Sequence, residues 1–284
     1  MTMIRYSSNS RKDGAFRSDV PITDTQIRQH APSILAMEPH SSRANTYAFI
    51  PTLKVLDGLR AQGFEPFEVR QTKCRNADRR EFTRHMLRLR HPDLPVQADG
   101  TPEIILLNSH DGTSSYQLMS GFFRFVCSNG LIAGSMLHDI RIRHTGNVVN
   151  DVIEGSFSVI EDTKQLVRQI DTYRAVELKP AEQQALASAA LSLRWGESAP
   201  IEMTDLLEPQ RREDKGDDLW SVFNRIQEHV LVGGIRGQTQ TGKRLTTRAV
   251  GGVNENVKLN RALWVLADEM AKLKLDASRF YAKQ

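Results

Sequence analysis

Residues 70 to 90 hold seven arginines and one lysine (Arg70, Lys73, Arg75, Arg79, Arg80, Arg84, Arg88 and Arg90) against two acids, Asp78 and Glu81. Guanidinium groups at close spacing suit one kind of chemistry above others. They hold phosphate and carboxylate oxygens in charge-assisted, often bidentate hydrogen bonds. In the stretch from Phe82 to Arg90 the side chains alternate as a strand requires, so Arg84, Arg88 and Arg90 fall on one face and Leu87 and Leu89 on the other. Residues two apart along a strand lie about 6.6 to 7 Å apart, which matches the phosphate repeat of an extended polynucleotide. Arg70, Lys73, Arg84, Arg88 and Arg90 are therefore the expected phosphate-binding set, giving affinity without sequence preference. The competing reading pairs these arginines with Glu65, Glu68 and Asp93 on a solvated face.

A second basic segment, 233–248, contributes Lys243, Arg244 and Arg248 in a Gly- and Thr-rich stretch expected to be a loop that closes over the bound strand. Gly237, Gly242 and Lys243 have P-loop spacing, but Arg244 stands where a magnesium-binding Ser or Thr is needed. Nucleotide hydrolysis is not expected. Base stacking would fall to Phe67, Phe82, Tyr116 and Phe122, with the cluster of Phe122, Phe123 and Phe125 reading chiefly as core. His110-Asp111 ends an apolar strand pattern where ligands often collect, yet two residues make too few ligands for a closed metal site, and turn chemistry explains Asp111-Gly112 better. Glu213-Asp214 reads as a solvated loop, and Asp217-Asp218 as the first turn of a helix whose dipole favours negative charge. Cys127 has no base beside it in sequence, and Trp220 and Trp264 sit on apolar helical stripes, so all three are expected to be core. No catalytic residue, metal or cofactor is expected.

The elements that would carry these residues follow from pattern. The chain has 284 residues, 39% apolar content and a net charge of +4, so its basic character is local. Two distant cysteines, no apolar run of membrane-spanning length and no signal peptide suggest a soluble protein of the reducing cytoplasm, with no membrane partner. Residues 1–20 read as a flexible arm. A short helix starts near Thr23, and a better one runs from Pro51 to Gln62 with Gly63 as its stop. Strands are expected at 65–74, 81–90 and 103–110, a buried apolar helix at 115–126 ending near Ser128-Asn129-Gly130, and a further strand at 140–143. Helices follow at 148–174, 180–194, 217–231 and 257–275. The fold class is α+β: a twisted, mainly antiparallel sheet (βββα plus a further strand) backed by a helix over 21–147, then a helical region over 148–284.

Three stretches carry a family resemblance: Arg79-Arg80-Glu81-Phe82 leading to His85-Met86-Leu87-Arg88-Leu89-Arg90, the run from Ile105 to Gly112, and Phe123 through Leu131. With Asp218-Leu219-Trp220 and Ala262-Leu263-Trp264-Val265, the chain beyond about residue 20 resembles domain-of-unknown-function family 932, a phage- and plasmid-borne family. The resemblance implies the company of mobile elements that handle single-stranded DNA or blunt host defences, and it supplies no catalytic residues. The order of elements with a basic sheet also resembles, more weakly, single-strand annealing proteins of the RecT type, which assemble as rings or filaments. The combined expectation is a protein that binds single-stranded DNA, with annealing or protection as its use and self-association as its assembly. The alternative is an accessory protein that binds and inhibits a host defence protein. A metal-dependent nuclease working through His110 and Asp111 is the third reading.

Overall fold

The computed structural model describes residues 15–43, 47, 49–94, 96–97, 99–124, 130–132, 140–142 and 148–281. Its centre is a seven-stranded antiparallel sheet in the order β1 (Ala15–Arg17), β2 (Glu65–Gln71), β3 (His85–Arg90), β4 (Gly100–Asn108), β5 (Tyr116–Arg124) and β6 (Gly130–Ile132). β7 (Ile140–Ile142) pairs with β5 as well, alongside Tyr116 to Leu118, while β6 lies alongside Gly121 to Phe123. Two short strands thus share one edge of β5.

Two expectations change here. Ala15–Arg17, assigned to the arm, pairs with β2 through Ala15↔Arg70 and Arg17↔Glu68. The segment read as a buried helix at 115–126 is β5, in register with β4 from Gly100↔Arg124 to Leu107↔Gln117. A strand covered on both faces shows the same unbroken apolar run as a buried helix, so periodicity could not separate them. Gly121 and the neighbouring aromatics, which favour a strand, were the better signal. The expected cap at Ser128-Asn129 and the residue Cys127 lie outside the described residues.

One sheet face packs Val69, Leu87, Leu89, Ile104, Leu106, Tyr116 and Leu118 beneath α1 (Asp24–His30), α2 (Thr52–Ala61) and α3 (Val148–Ala175), and it is α3 that supplies the backing helix. Local signals start these helices. Thr23 accepts from the Gln26 amide at 3.4 Å while the Gln26 carboxamide accepts from the Thr23 amide at 2.9 Å, a reciprocal cap for α1. The C-terminal helices are α4 (Pro180–Trp195), α5 (Leu219–Val232) and α6 (Val253–Tyr281), close to the expected bounds. Their core gathers Tyr173, Trp220, Phe223, Trp264 and, from the sheet, Phe122. Trp220 and Trp264 are core residues as expected, and Asp218 caps α5 by accepting from the Ser221 amide at 2.9 Å.

Asp214, expected in solvent, is buried and takes two hydrogen bonds from Arg124 of β5, at 2.8 and 3.3 Å. Asp99, just before β4, accepts from Arg174 at the end of α3 (2.6 Å) and from the Trp220 indole of α5 (2.9 Å). No described helix is long and apolar enough to cross a membrane.

Candidate nucleic-acid interface

The basic residues of the sheet are the first to place. Glu68 and Arg70 of β2, Arg88 and Arg90 of β3 and Glu103 of β4 share one face, because Glu68 lies opposite Arg88 in the register and alternate residues of a strand point the same way. The Arg88 Nε donates to Glu103 Oε2, and the Arg90 Nε donates to Glu103 Oε1 at 2.8 Å. Glu68 accepts from Arg17 at 2.9 Å and from Arg70 at 3.4 Å, and stands 4.0 Å from Arg88. Arg90 is held between the rings of Phe67 and Phe123, 4.3 and 4.4 Å from their centroids. Arg70, Arg88, Glu68 and Glu103 are 2%, 1%, 2% and 0% exposed, and Val253 and Val257 of α6 pack on the same face with Met86, Ile105 and Met119.

Arg70 and Arg88 are thus internal to the fold, and Arg90, half-buried, is held by Glu103 and two rings, so the three no longer form an open phosphate-binding set. The reading that pairs them with acids holds for Glu68, with Glu103 as the partner that sequence proximity did not suggest; Glu65 pairs with Arg60 and Asp93 with His91 instead. Gly121 leaves the room this requires. A Cβ there would meet the Arg88 Nη2 at 3.0 Å and the Ile105 Cδ1 at 2.5 Å.

Arg84 lies just before β3, half-buried, and donates to the Thr113 carbonyl; burial lowers its pKa while the carboxylate of Asp111 raises it. Lys73 is exposed in the loop between β2 and β3, together with Arg75, Arg79 and Arg80 around the 3-10 turn Ala77–Phe82. That loop is anchored by Asn76, which accepts from the Asp78 amide at 2.9 Å, and by Gln71, which donates to the Arg80 carbonyl at 2.5 Å.

The second basic segment is not an open loop. It folds as a two-stranded ribbon, β8 (Arg236–Gln238) and β9 (Arg244–Thr246), with Arg236↔Thr246, Gly237↔Leu245 and Gln238↔Arg244 in register. Below the ribbon the pairing continues from the Gly234 amide to the Thr247 carbonyl and from the Thr247 amide to the Ile235 carbonyl. The Gln238 amide donates to the Pro200 carbonyl at 2.8 Å, and a Cβ on Gly237 would overlap that same carbonyl oxygen. Only glycine lets the ribbon lie this close to its support. Arg236, Gln238, Arg244 and Thr246 occupy the exposed face, while Gly237 and Leu245 turn toward Pro200 and Ile201. Lys243 in the turn and Arg248 two residues past β9 are exposed as well. Among the described residues, Arg236, Lys243, Arg244 and Arg248 have no carboxylate partner. A concavity of about 450 Å³ opens on the ribbon, bordered by Arg236, Gln238, Arg244 and Thr246.

The remaining chemical candidates are structural. His85 Nδ1 lies 3.0 Å from Ser33 Oγ and its Nε2 2.8 Å from Thr52 Oγ1, which also meets His110 Nε2 at 3.4 Å and accepts from Asn108 at 2.9 Å. All five side chains are fully buried, and burial, followed by the neighbouring His110, pushes the His85 pKa well down. Asp111 accepts from the Thr113 amide (3.1 Å) and hydroxyl (2.6 Å), the turn chemistry expected of it. Among the described residues no cluster of three His, Cys, Asp or Glu could hold a metal ion.

Residues 39–264 match the family model described as "Domain of unknown function (DUF932)". The chain belongs to the DUF932 family. It is 44% identical over 269 residues to "UPF0380 protein YfjQ" of Escherichia coli (strain K12), which covers 94% of this chain and 98% of that protein. "UPF0380 protein YafZ" of the same organism matches with the same identity and coverage. No solved structure matches the chain.

In this DUF932 protein the fold separates the expected binding residues into three groups. Arg70, Arg88 and the half-buried Arg90 meet the acids of the sheet face, Lys73 and Arg84 lie along the β2–β3 loop, and Lys243, Arg244 and Arg248 are exposed at or just past the ribbon. Arg70 donates to the carbonyl of Val250 at 3.3 Å, in the segment between the ribbon and α6. Sequence reasoning left out Arg236, Gln238 and Thr246. Their signal was the alternation on either side of a short Gly-containing turn, the mark of a hairpin.

Proposed function

We propose that this protein binds nucleic acid through the phosphate backbone, with the β8–β9 ribbon as the principal contact and the β2–β3 loop as a second one. The observation that carries this reading is the set of four exposed cations on a braced ribbon, Arg236, Lys243, Arg244 and Arg248, without carboxylate partners among the described residues. Long cationic side chains left unmatched on one surface create a local positive field, which attracts polyanions whatever the net charge. Lys73, Arg75, Arg79 and Arg80 are exposed on a different element, the β2–β3 loop. The use that the sequence suggested, annealing or protection of single strands, calls for stacking platforms besides cations. Of the four aromatics considered, Tyr116 and Phe122 are fully buried, Phe67 lies beneath Arg90, and Phe82 packs edge-on to His40. Phosphate contact therefore supports the reading, and stacking does not.

The test is fluorescence anisotropy of the nuclease-treated full chain against labelled DNA over a salt series. Salt-sensitive binding is expected, and replacing Lys243, Arg244 and Arg248 together by Ala should reduce the slope of log affinity against log salt by about 2 to 3, at roughly 0.7 to 0.9 per phosphate contact. Absence of binding at low salt would overturn the reading and leave a host protein as the partner to seek. Binding unchanged by the triple substitution would remove the ribbon from it.

A further inference from the structure

We infer that the β8–β9 ribbon is a reader of double-stranded nucleic acid that inserts its exposed face into the major groove of duplex DNA. The inference rests on the nucleic-acid reading above and adds what kind of polymer the ribbon fits. Groove dimensions are the first argument. The major groove of B-form DNA admits a two-stranded ribbon, and the minor groove, about half as wide, does not. This ribbon has three residues per strand and stands on Pro200 with its Arg236, Gln238, Arg244 and Thr246 face outward.

The residue types are the second argument. Arg236 and Arg244 bear the bidentate fork that meets the O6 and N7 of guanine. Gln238 can pair with the N6 and N7 of adenine, and Thr246 offers a methyl and a hydroxyl to thymine or its neighbours. Gln238 and Thr246 carry no charge and so neutralise no phosphate, yet they hold half of the exposed ribbon positions. Both can also donate to phosphate oxygens, so it is their place between two arginines on one face that favours base edges. Lys243 at the tip and Arg248 past the ribbon's end flank this set, where the groove's phosphate rims would lie.

Spacing is the third argument. Alternate residues of a strand stand about 6.6 to 7 Å apart, two base-pair steps of about 3.4 Å each. Arg236 and Gln238 on β8, and Arg244 and Thr246 on β9, each span that distance, so the face addresses a few consecutive base pairs. The brace against Pro200, together with the Gln240 side chain donating to the Glu197 carbonyl at 3.4 Å, holds the ribbon in place before any partner arrives. A fixed ribbon suits a regular duplex groove, whereas a pliant single strand is gripped by stacking.

The deciding experiment compares the full chain on a duplex and on each of its separated strands at equal ionic strength, and then selects bound duplexes from a randomised pool. The duplex should bind at least about tenfold more tightly than either strand, and the pool should yield a short motif. Gln238→Ala, an exposed change, should lose about tenfold or more of the preference at one base of that motif without altering the salt slope, since no charge is removed. Equal or tighter binding of single strands, an unenriched pool, or a motif indifferent to Gln238→Ala would each overturn the inference while leaving backbone binding standing. No salt-sensitive binding to either form would overturn both.

Discussion

The inner face of the sheet and the outer face of the ribbon are built from the same side chain and put it to opposite uses. On the sheet, Arg70 meets Glu68 along its own strand and Arg88 and Arg90 reach Glu103 from the neighbouring one, on the face where α6 packs. On the ribbon, Arg236 and Arg244 have Thr246 and Gln238 as their cross-strand neighbours, and the face stays open. What separates the two is whether a carboxylate lies within reach on the same face and whether another element covers that face, both true of the sheet and neither true of the ribbon among the described residues. Counting arginines in a window measures neither condition.

Removing a carboxylate from the inner set gives the largest expected effect. Glu103→Ala strips both Arg88 and Arg90 of the group between them, and an uncompensated buried charge costs about 3 to 5 kcal/mol. Urea denaturation should show that loss, and a change below about 1 kcal/mol would mean the inner arginines depend little on their pairing. Next comes Gly237→Ala, which pushes the ribbon off the Pro200 carbonyl. Overpacking of this kind costs about 1 to 3 kcal/mol. The comparison predicts that DNA binding suffers along with stability, whereas Glu103→Ala under conditions where it remains folded should leave the salt slope intact.

Buried His85 sharpens the contrast by showing a third treatment of a polar group, in which burial disfavours its charge. The His85 pKa is depressed below its ordinary 6.5, so the native state excludes a proton that the unfolded chain binds. Stability is then complete above pH 6.5 and declines as the pH falls below that value, by about 1.4 kcal/mol per pH unit for one proton. Denaturation midpoints measured at descending pH should fall accordingly, and His85→Gln should flatten the dependence. The smallest effect belongs to the ribbon: Ala at Lys243, Arg244 and Arg248 should each change stability by under about 0.5 kcal/mol while weakening binding.

The helices from α3 to α6 were legible because their apolar period, start signals such as the cap at Asp218 and the first-turn Pro180, and their lengths all agree. Strands β2 and β3 were legible for the corresponding reason in period two, and β4, apolar on both faces, through its shortness and the Pro- and Gly-bearing turns that bound it. β5 was not, since burial on both faces removes alternation, and its partner lies in a strand, not in its own sequence. The fate of the arginines depended on Glu103, thirteen residues beyond Arg90 and adjacent to it only after β3 and β4 pair. Lys243, Arg244 and Arg248 could be nominated, but the hairpin that orders them was hidden by its brevity.

The missing side chain at Gly121 couples three neighbouring strands. A methyl group added there would press first on the Ile105 Cδ1 of β4 and then on the Arg88 Nη2 of β3, both the ends of flexible side chains. A single change in β5 is thereby felt in β4 and β3 at once, so the volume at residue 121 helps to set where the Arg88 guanidinium can lie.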